Sequence, residues 1–414
     1  MKKICSALLV VIAVYAPALA QRKAVFIIVD GIPADVIEKL DMPMLKEITT
    51  AGGYTNAYQG GGKGTYSESP TISAVGYNHV LTGTWTHKHN VWDNDIDAPN
   101  YHYWNIFRIL KAVNPERKTA IFSSWQDNRT KLVGEGLLRA GNMKFDYAYD
   151  GLELDTLRIP HTRDRKFMLA IDEQVSTEAA RYIQENGPDL SWVYLEFTDD
   201  MGHMYGDSPE FYDAVKKADA QIGRVWKAIQ ARKKQYNEDW MLVITTDHGR
   251  DTQTGKHHGG QSDRERTTWI ATNVKNLNPH FKETPGAIDI APSILSFMNI
   301  TIPEPIQREL DGISFVNDIS ISNLQATRHD NTVNLTWTTH NPKGNAQILI
   351  TPTNTFATGG TDTYTTVGKV PVKKSSYSFP LPTNTDLYKI VVKAPNNTAT
   401  VWIVKDGYKT VRKK

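Results

Sequence analysis

The 414-residue chain has a single cysteine, Cys5. It lies in a leading segment where Lys2 and Lys3 precede an apolar run from Ala7 to Val14, and Ala18-Leu19-Ala20 offers a small-x-small cleavage pattern. This order predicts a secretory signal peptide over residues 1–20, cut before Gln21, and hence a periplasmic or secreted protein. The run falls short of the roughly 20 apolar residues that span a bilayer, so no membrane anchor is expected. Cys5 also sits too early to carry a lipid at the cut. A chain processed in this way has no disulfide, although exported, and no thiol nucleophile.

An excess of one charge is missing too. Lys plus Arg number 47 and Asp plus Glu 45; without Lys2 and Lys3, and with no acid in residues 1–20, both signs stand at 45. That excludes a large basic footprint for nucleic acid. No transmembrane run follows residue 20, and no internal repeat is visible. What remains is ordinary globular composition, 40% hydrophobic and 22% charged, in a chain long enough for two domains.

From residue 24 to about 318, short apolar runs alternate with helical patterns. Ala24–Val29, Ser191–Phe197 and Met241–Thr246 read as buried strands. Phe167–Gln184, Pro209–Ala231 and Asp289–Met298 read as helices, the last closed off by Pro303 and Pro305. Runs without strict alternation suit a parallel sheet covered on both faces, so an α/β fold is expected over 21–318. Beyond 320 the chain turns to short Thr-, Val-, Ile- and Tyr-rich segments between Asn, Pro and Gly. Val333–Thr338, Ala346–Thr351, Thr363–Val367, Ser376–Phe379, Leu387–Ala394 and Thr398–Val404 predict a β-sandwich over 319–414. Trp337 in an early strand and Tyr388 in a late one resemble a fibronectin type III-like module.

In an open α/β sheet, ligands bind beyond the carboxyl ends of the strands. Three strand candidates end in acid: the first at Asp30-Gly31, the second at Asp199-Asp200-Met201-Gly202-His203, the third at Asp247-His248-Gly249. A pair, His257-His258, follows. Carboxylate with imidazole suits zinc or manganese, not calcium. His79, His87 and His280 are read as surface or core residues.

These blocks, with Ser69-Pro70-Thr71-Ile72-Ser73-Ala74-Val75-Gly76-Tyr77-Asn78-His79-Val80-Leu81-Thr82-Gly83, resemble the alkaline phosphatase superfamily, and within it the type I phosphodiesterase/nucleotide pyrophosphatase family. The family's Pro-Thr-x-Thr pattern places its nucleophile on Ser73 and its Thr-Gly on Thr82-Gly83. A family His falls on His89 and an Asp-Asn pair on Asp93-Asn94. Met42-Pro43 with Leu45 before Gly52, and Ile290-Ala291-Pro292, are further points of likeness. The resemblance spans residues 22–318. Ser replaces the branch's usual Thr, and Val75-Gly76 replaces a Pro-Asn. The stretch from His248 to His258 lacks the long insertion of nucleotide pyrophosphatases and is closer to phosphoethanolamine-transferase-like members.

The resemblance implies an alkaline phosphatase-like, mostly parallel sheet and two divalent metal ions, with zinc the first choice. One would be held by Asp199, His203 and His258, the other by Asp30, Asp247 and His248, with Ser73 bridging or capping the second. His257 is the alternative to His258, and Asp200 to Asp199; the family's His-Gly and Asp-x-x-Gly-His patterns favour His258 and Asp199. Ser73 would form a phosphoseryl enzyme, with Asn94 and the Ala74 N–H as donors to the phosphoryl oxygens. Phosphodiester or nucleotide pyrophosphate bonds are the expected substrates. Phosphomonoester hydrolysis, with charge supplied from Arg158, Arg163, Arg165 and Lys166, and phosphoethanolamine-type transfer are the alternatives. A sulfatase is disfavoured, because Ser73-Ala74-Val75-Gly76-Tyr77 lacks its Pro and Arg. A binding protein without activity is disfavoured by the full set of ligands. Trp337, Tyr364, Tyr377 and Trp402 of the sandwich either pack its core or contact glycans or a surface.

Overall fold

The computed structural model describes residues 20–405. Of the expected signal segment only Ala20 is among them; Cys5 and the rest lie outside the described residues.

Seven strands form the first sheet: β1 (Gln21–Val29), β2 (Gly53–Tyr58), β3 (Thr119–Ser123), β4 (Tyr147–Tyr149), β5 (Leu190–Leu195), β6 (Glu238–Thr245) and β7 (Thr267–Thr272). Their order is β2-β7-β6-β1-β5-β3-β4. β1, β3, β4, β5 and β6 pair in parallel, and β7 pairs antiparallel with both β6 and β2. The apolar run of β1 is explained by its two buried faces. Ala24, Phe26 and Ile28 join one core with helices α2 (Ser73–Thr82), α3 (Ile106–Val113) and α7 (Ile290–Phe297). Val25, Ile27 and Val29 join the other with α1 (Pro43–Ala51), α4 (Lys166–Asn186) and α6 (Pro209–Gln235). Helices on both faces are what a mainly parallel sheet needs.

Register positions the site. Val29 pairs with Leu195, and Ile28 with Thr245. Asp30, the start of α5 (Phe197–Tyr205) and Thr246-Asp247-His248 therefore emerge side by side at one sheet edge. β1 has β5 on one side and β6 on the other, and connections leaving to both sides open the crevice where ligands bind in such sheets.

The C-terminal part holds β8 (Ile321–His329), β9 (Thr332–Thr339), β10 (Asn345–Thr351), β11 (Thr365–Pro371), β12 (Ser376–Pro380), β13 (Leu387–Lys393) and β14 (Thr398–Val404). They make a three-stranded sheet, β12-β9-β8, and a four-stranded one, β11-β10-β13-β14, all antiparallel. Leu335 and Trp337 meet Ile348, Tyr388 and Ile390 between them. This is the fibronectin type III-like sandwich. The Tyr388 hydroxyl donates to the Thr383 carbonyl at 2.9 Å and accepts its N–H at 3.2 Å, the tyrosine-corner arrangement. β8 is the strand the sequence reading lacks. Its inward positions past Ile321 are half-buried residues such as Leu324 and Ala326, too weak an alternation to stand out.

The sandwich is seated on the α/β part by aromatic and charged contacts. Trp402 is buried, stacks on Tyr66 at 5.8 Å and gives its backbone N–H to the Tyr66 hydroxyl at 2.9 Å. Buried Lys389 reaches Asp362 at 2.6 Å and also pairs with Glu309. Trp337 is buried and donates to the Val372 carbonyl at 3.1 Å. Trp337 and Trp402 thus serve packing rather than an exposed platform. No helix among the described residues is long and apolar enough to cross a membrane.

Candidate active site

Ser73 is the first residue of α2, after extended Ile72, and Gly83 ends the helix at φ +64. Its Oγ lies 3.3 Å from His248 Nε2. Around that imidazole, Asp247 Oδ2 is at 3.3 Å, Asp30 Oδ1 at 3.4 Å and Asp199 Oδ1 at 4.0 Å. Asp199 and His203 are one turn apart on α5, with Oδ2 and Nε2 at 3.2 Å. His258 stacks on His248 at 3.7 Å and places its Nε2 3.1 Å from that of His203. Two donor groups result: Asp199, His203 and His258, and Asp30, Asp199 and His248, each with atoms within 4.8 Å of one another. Asp199 belongs to both, and Asp247 joins the second through His248.

Backbone contacts aim the imidazoles. His248 Nδ1 faces the Gly249 carbonyl at 2.9 Å, and His258 Nδ1 the Thr71 carbonyl at 2.9 Å. A donor role for each Nδ1 leaves Nε2 as the ligand atom. Thr71 of the Pro-Thr pattern also accepts the Gly259 N–H at 3.0 Å and donates to the Gly260 carbonyl at 2.9 Å. The Asp251 carboxylate gathers the N–H groups of Gln253, Thr254 and His257 at 2.7–2.9 Å, which turns the loop so that His258 enters the cluster and His257 stays exposed. Asp200 likewise turns aside, to Arg165 at 2.6 Å.

The donor set fits divalent metal. Asp30 Oδ1 and Asp247 Oδ2 are buried without any hydrogen-bond partner. Burial, reinforced by Asp30, pushes the Asp247 carboxyl well above its ordinary range. Burial opposes charge on His248, yet Asp247, Asp30 and Asp199 hold it up to about 9. Burial and then His248 hold His258 down to about 3. Crowded carboxylates and imidazoles with opposed protonation are the setting a divalent cation relieves.

Several residues here escaped the sequence reading. Arg250 is fully buried and pairs with Asp199 Oδ1; it also donates to the carbonyls of Gly31 and Asp199 at 2.9 Å. It follows the Asp-His-Gly triplet directly, and that position was its signal. Tyr77, one turn after Ser73 on the same helix face, donates to Asp30 Oδ2, as does Tyr194 at 2.7 Å. Tyr194 hides inside an apolar strand and gives no signal. Two glycines permit these approaches: a Cβ on Gly31, at φ +67, would lie 2.5 Å from Asp199 Oδ1, and one on Gly202 2.1 Å from Arg250 Cζ.

A cavity of about 130 Å³ opens over Ser73, lined by Asp30, Tyr77, Asn94, Trp125, Tyr194, Glu196 and Asp199. The Ala74 N–H does not stand open as expected: it donates to Asn94 Oδ1 at 3.0 Å, satisfying a helix-terminal donor and leaving Asn94 Nδ2 for other partners. His89 shapes the Asn94 loop, accepting the Val91 N–H at 3.1 Å on Nδ1 and the Asn100 N–H at 2.8 Å on its carbonyl. His79, His87 and His280 are buried away from the cluster. Arg165 is tied to Glu196 and Asp200, while Arg158, Arg163 and Lys166 are exposed.

Among solved structures, murine ectonucleotide pyrophosphatase/phosphodiesterase 5 is similar at 14% identity and TM-score 0.47, covering 68% of this chain and 96% of its own. Ps i-CgsB is similar at 13%, TM-score 0.49, 78% and 84%. The lipoteichoic acid synthase LtaP of Listeria monocytogenes is similar at 16%, TM-score 0.44, 73% and 76%. The family profile for type I phosphodiesterase/nucleotide pyrophosphatase matches residues 24–264, more than half of the chain and the whole of the Asp, His and Ser cluster. The protein belongs to the type I phosphodiesterase/nucleotide pyrophosphatase family, phosphoester hydrolases of the alkaline phosphatase superfamily.

Proposed function

We propose that the protein is an exported phosphodiesterase or nucleotide pyrophosphatase that works through a phosphoserine at Ser73. The carrying observation is the Ser73 hydroxyl at 3.3 Å from His248 Nε2, at a helix N-terminus beside carboxylate oxygens that lack partners. Asp199, His203 and His258 would hold one zinc ion, and Asp30, Asp247 and His248 the other. Bound there, the pair supplies Lewis acidity that acidifies the serine hydroxyl and stabilises the leaving oxygen. The organisation we propose is a signal peptide to residue 20, a catalytic domain over 21–318 and a sandwich over 319–414.

In this reading Ser73 Oγ bonds to phosphorus as the ester oxygen opposite departs. The positive end of the α2 dipole lies under the charge that gathers on the phosphoryl oxygens. Asn94 Nδ2 donates to one of them. Arg250 holds Asp199 in place. Water then opens the phosphoserine in the reverse geometry and restores the hydroxyl.

Charge supports a diester over a monoester. The residues lining the cavity include Asp30, Glu196 and Asp199 and no cation. The guanidiniums of Arg165 and Arg250, which touch the lining residues Glu196 and Asp199, are each spent on carboxylates. A monoester brings one more negative charge, and the lining offers no unpaired side-chain cation to receive it beyond the two metals that both esters share. Steady-state hydrolysis of p-nitrophenyl phosphate and of the p-nitrophenyl ester of thymidine monophosphate tests this. The diester is expected to lead in kcat/KM by about a hundredfold, or about 2.7 kcal/mol. A monoester preference of that size would make the enzyme a phosphatase.

A further inference from the structure

One buried acid that the proposed chemistry leaves unused is Asp172. It lies on the covered face of α4 with Met168, Ile171 and Val175 and is 1% exposed. No lysine, arginine or histidine among the described residues pairs with it, and burial pushes its carboxyl up to about 7. An acid in that position is unfavourable unless its hydrogen bonds offset the loss of water.

Those bonds all go to segments that frame the cavity over Ser73. Asp172 Oδ1 accepts from the Glu196 N–H at 3.1 Å and from the Ser124 hydroxyl, and Oδ2 accepts from the Phe197 N–H at 2.8 Å. Glu196 precedes α5 and Phe197 opens it, so both N–H groups belong to a helix end that offers them no partner of its own. The Glu196 side chain does not cap the helix. The cap comes instead from α4, and a carboxylate at a helix N-terminus is favoured by the dipole as well. Ser124 directly follows β3 and precedes Trp125, which lines the cavity together with Glu196.

Helix α5 carries Asp199 and His203 one turn apart, as its third and seventh residues. Its first turn has a second tie, from the Thr198 hydroxyl to the Asp30 carbonyl at the end of β1. With its start held from α4 and from β1, the helix is kept from turning about its axis. We propose that Asp172 is a positioning residue for the metal-ligand helix: it caps α5 from α4 and so sets the direction in which Asp199 and His203 point. It bonds to no ligand side chain itself, and its effect passes through the backbone of Glu196 and Phe197. The inference rests on the metal-dependent reading of the Ser73 cluster.

The test is zinc affinity, read by chelator competition on the folded full-length chain. Asp172→Asn keeps the size of the side chain but leaves one acceptor oxygen for two N–H groups. It is expected to weaken zinc binding at least about tenfold, the usual scale for groups that orient metal ligands. Ser124→Ala removes the third bond and spares the α5 cap, so its zinc affinity should stay close to that of the wild type. The proposal is overturned if Asp172→Asn holds zinc as tightly as the wild type. It is overturned equally if Ser124→Ala loosens zinc as much as Asp172→Asn, because the effect would then be a general loosening of the core. Hydrogen exchange on the metal-free wild type needs no variant. The Glu196 and Phe197 amides should be protected like those of β5, and exchange at the rate of exposed amides overturns the proposal even where Asp172→Asn fails to fold. A wild type that binds no zinc ends the metal reading and this inference with it. Equally tight zinc in the wild type and in Asp172→Asn ends this inference alone.

Discussion

Removing the Arg250 guanidinium leaves Asp199 buried among other carboxylates, with only imidazoles to offset it. Breaking a buried pair from one side costs about 3–5 kcal/mol, so Arg250→Met should lower the urea-unfolding free energy of the metal-free protein by about that much. Added zinc should restore part of the loss, because a metal on Asp199 replaces the missing charge. An unchanged midpoint would show that Asp199 does not depend on Arg250. Asn94 makes the complementary case. If its Nδ2 serves charge that grows in the transition state, Asn94→Ala should lower kcat by about 10²–10³, about 3 kcal/mol, with KM nearly unchanged. A KM effect alone would make it a binding residue or merely the acceptor for Ala74. At this scale most residues of the candidate cluster are legible in the sequence, because acid-ended strands and His-Gly pairs show in the letters. The choice between His257 and His258 rested on a resemblance. Its physical cause is Asp251, whose turn selects the second histidine.

Elements carry the next level of the argument. Helix α2 lies so close to the end of β6 that a Cβ on Gly76 would sit 2.6 Å from the Asp247 carbonyl and 2.8 Å from its Cβ. Gly76 thus lets the helix that begins at Ser73 pack closely on the strand end that carries Asp247 and His248. Gly76→Ala should cost about 1–3 kcal/mol by overpacking and, by shifting the nucleophile, about 10²-fold in kcat. Normal kinetics in that variant would show that the helix can slide. The 3-10 turn Ala287–Asp289 leading into α7 holds a pH-sensitive contact. Burial opposes charge on His280, but Asp289 at 3.1 Å and Glu283 at 3.1 Å outweigh it and hold it up to about 9. A histidine raised from about 6.5 adds stability that is full below about pH 6.5 and lost as pH rises through about 9. The melting temperature should fall over that window in the wild type and stay flatter in His280→Gln; equal slopes would refute the contact. The buried strands and long helices of the α/β part were readable because both faces of β1, β5 and β6 are apolar. β2 and β7, the antiparallel edge, were not, since Gly, Tyr and Thr there alternate weakly. β4, with three residues, is too short to carry a pattern.

The whole molecule depends on how the sandwich is seated. Lys389 on β13 is fully buried and bridges Glu309 of the connector to Asp362 of the sandwich. Lys389→Met strands two carboxylates and should cost about 3–5 kcal/mol of unfolding free energy. Loss of sandwich contacts should then appear as protease sensitivity near residue 320; a fully stable variant would show that the other seam contacts, such as Trp402 on Tyr66 and Asn100 on the Ala357 carbonyl, suffice without Lys389. The change near residue 320 from the mostly parallel sheet to the antiparallel C-terminal sheets is visible in the sequence as a change in composition. The seam itself is not, because its ion pairs join residues far apart in sequence, and no local pattern announces them. The central claim concerns Ser73 and the metals around it, and one variant tests it most directly. Ser73→Ala should retain two zinc ions per chain by elemental analysis, with hydrolysis of the thymidine ester reduced at least about a thousandfold. Activity near the wild-type level with zinc in place would contradict the account.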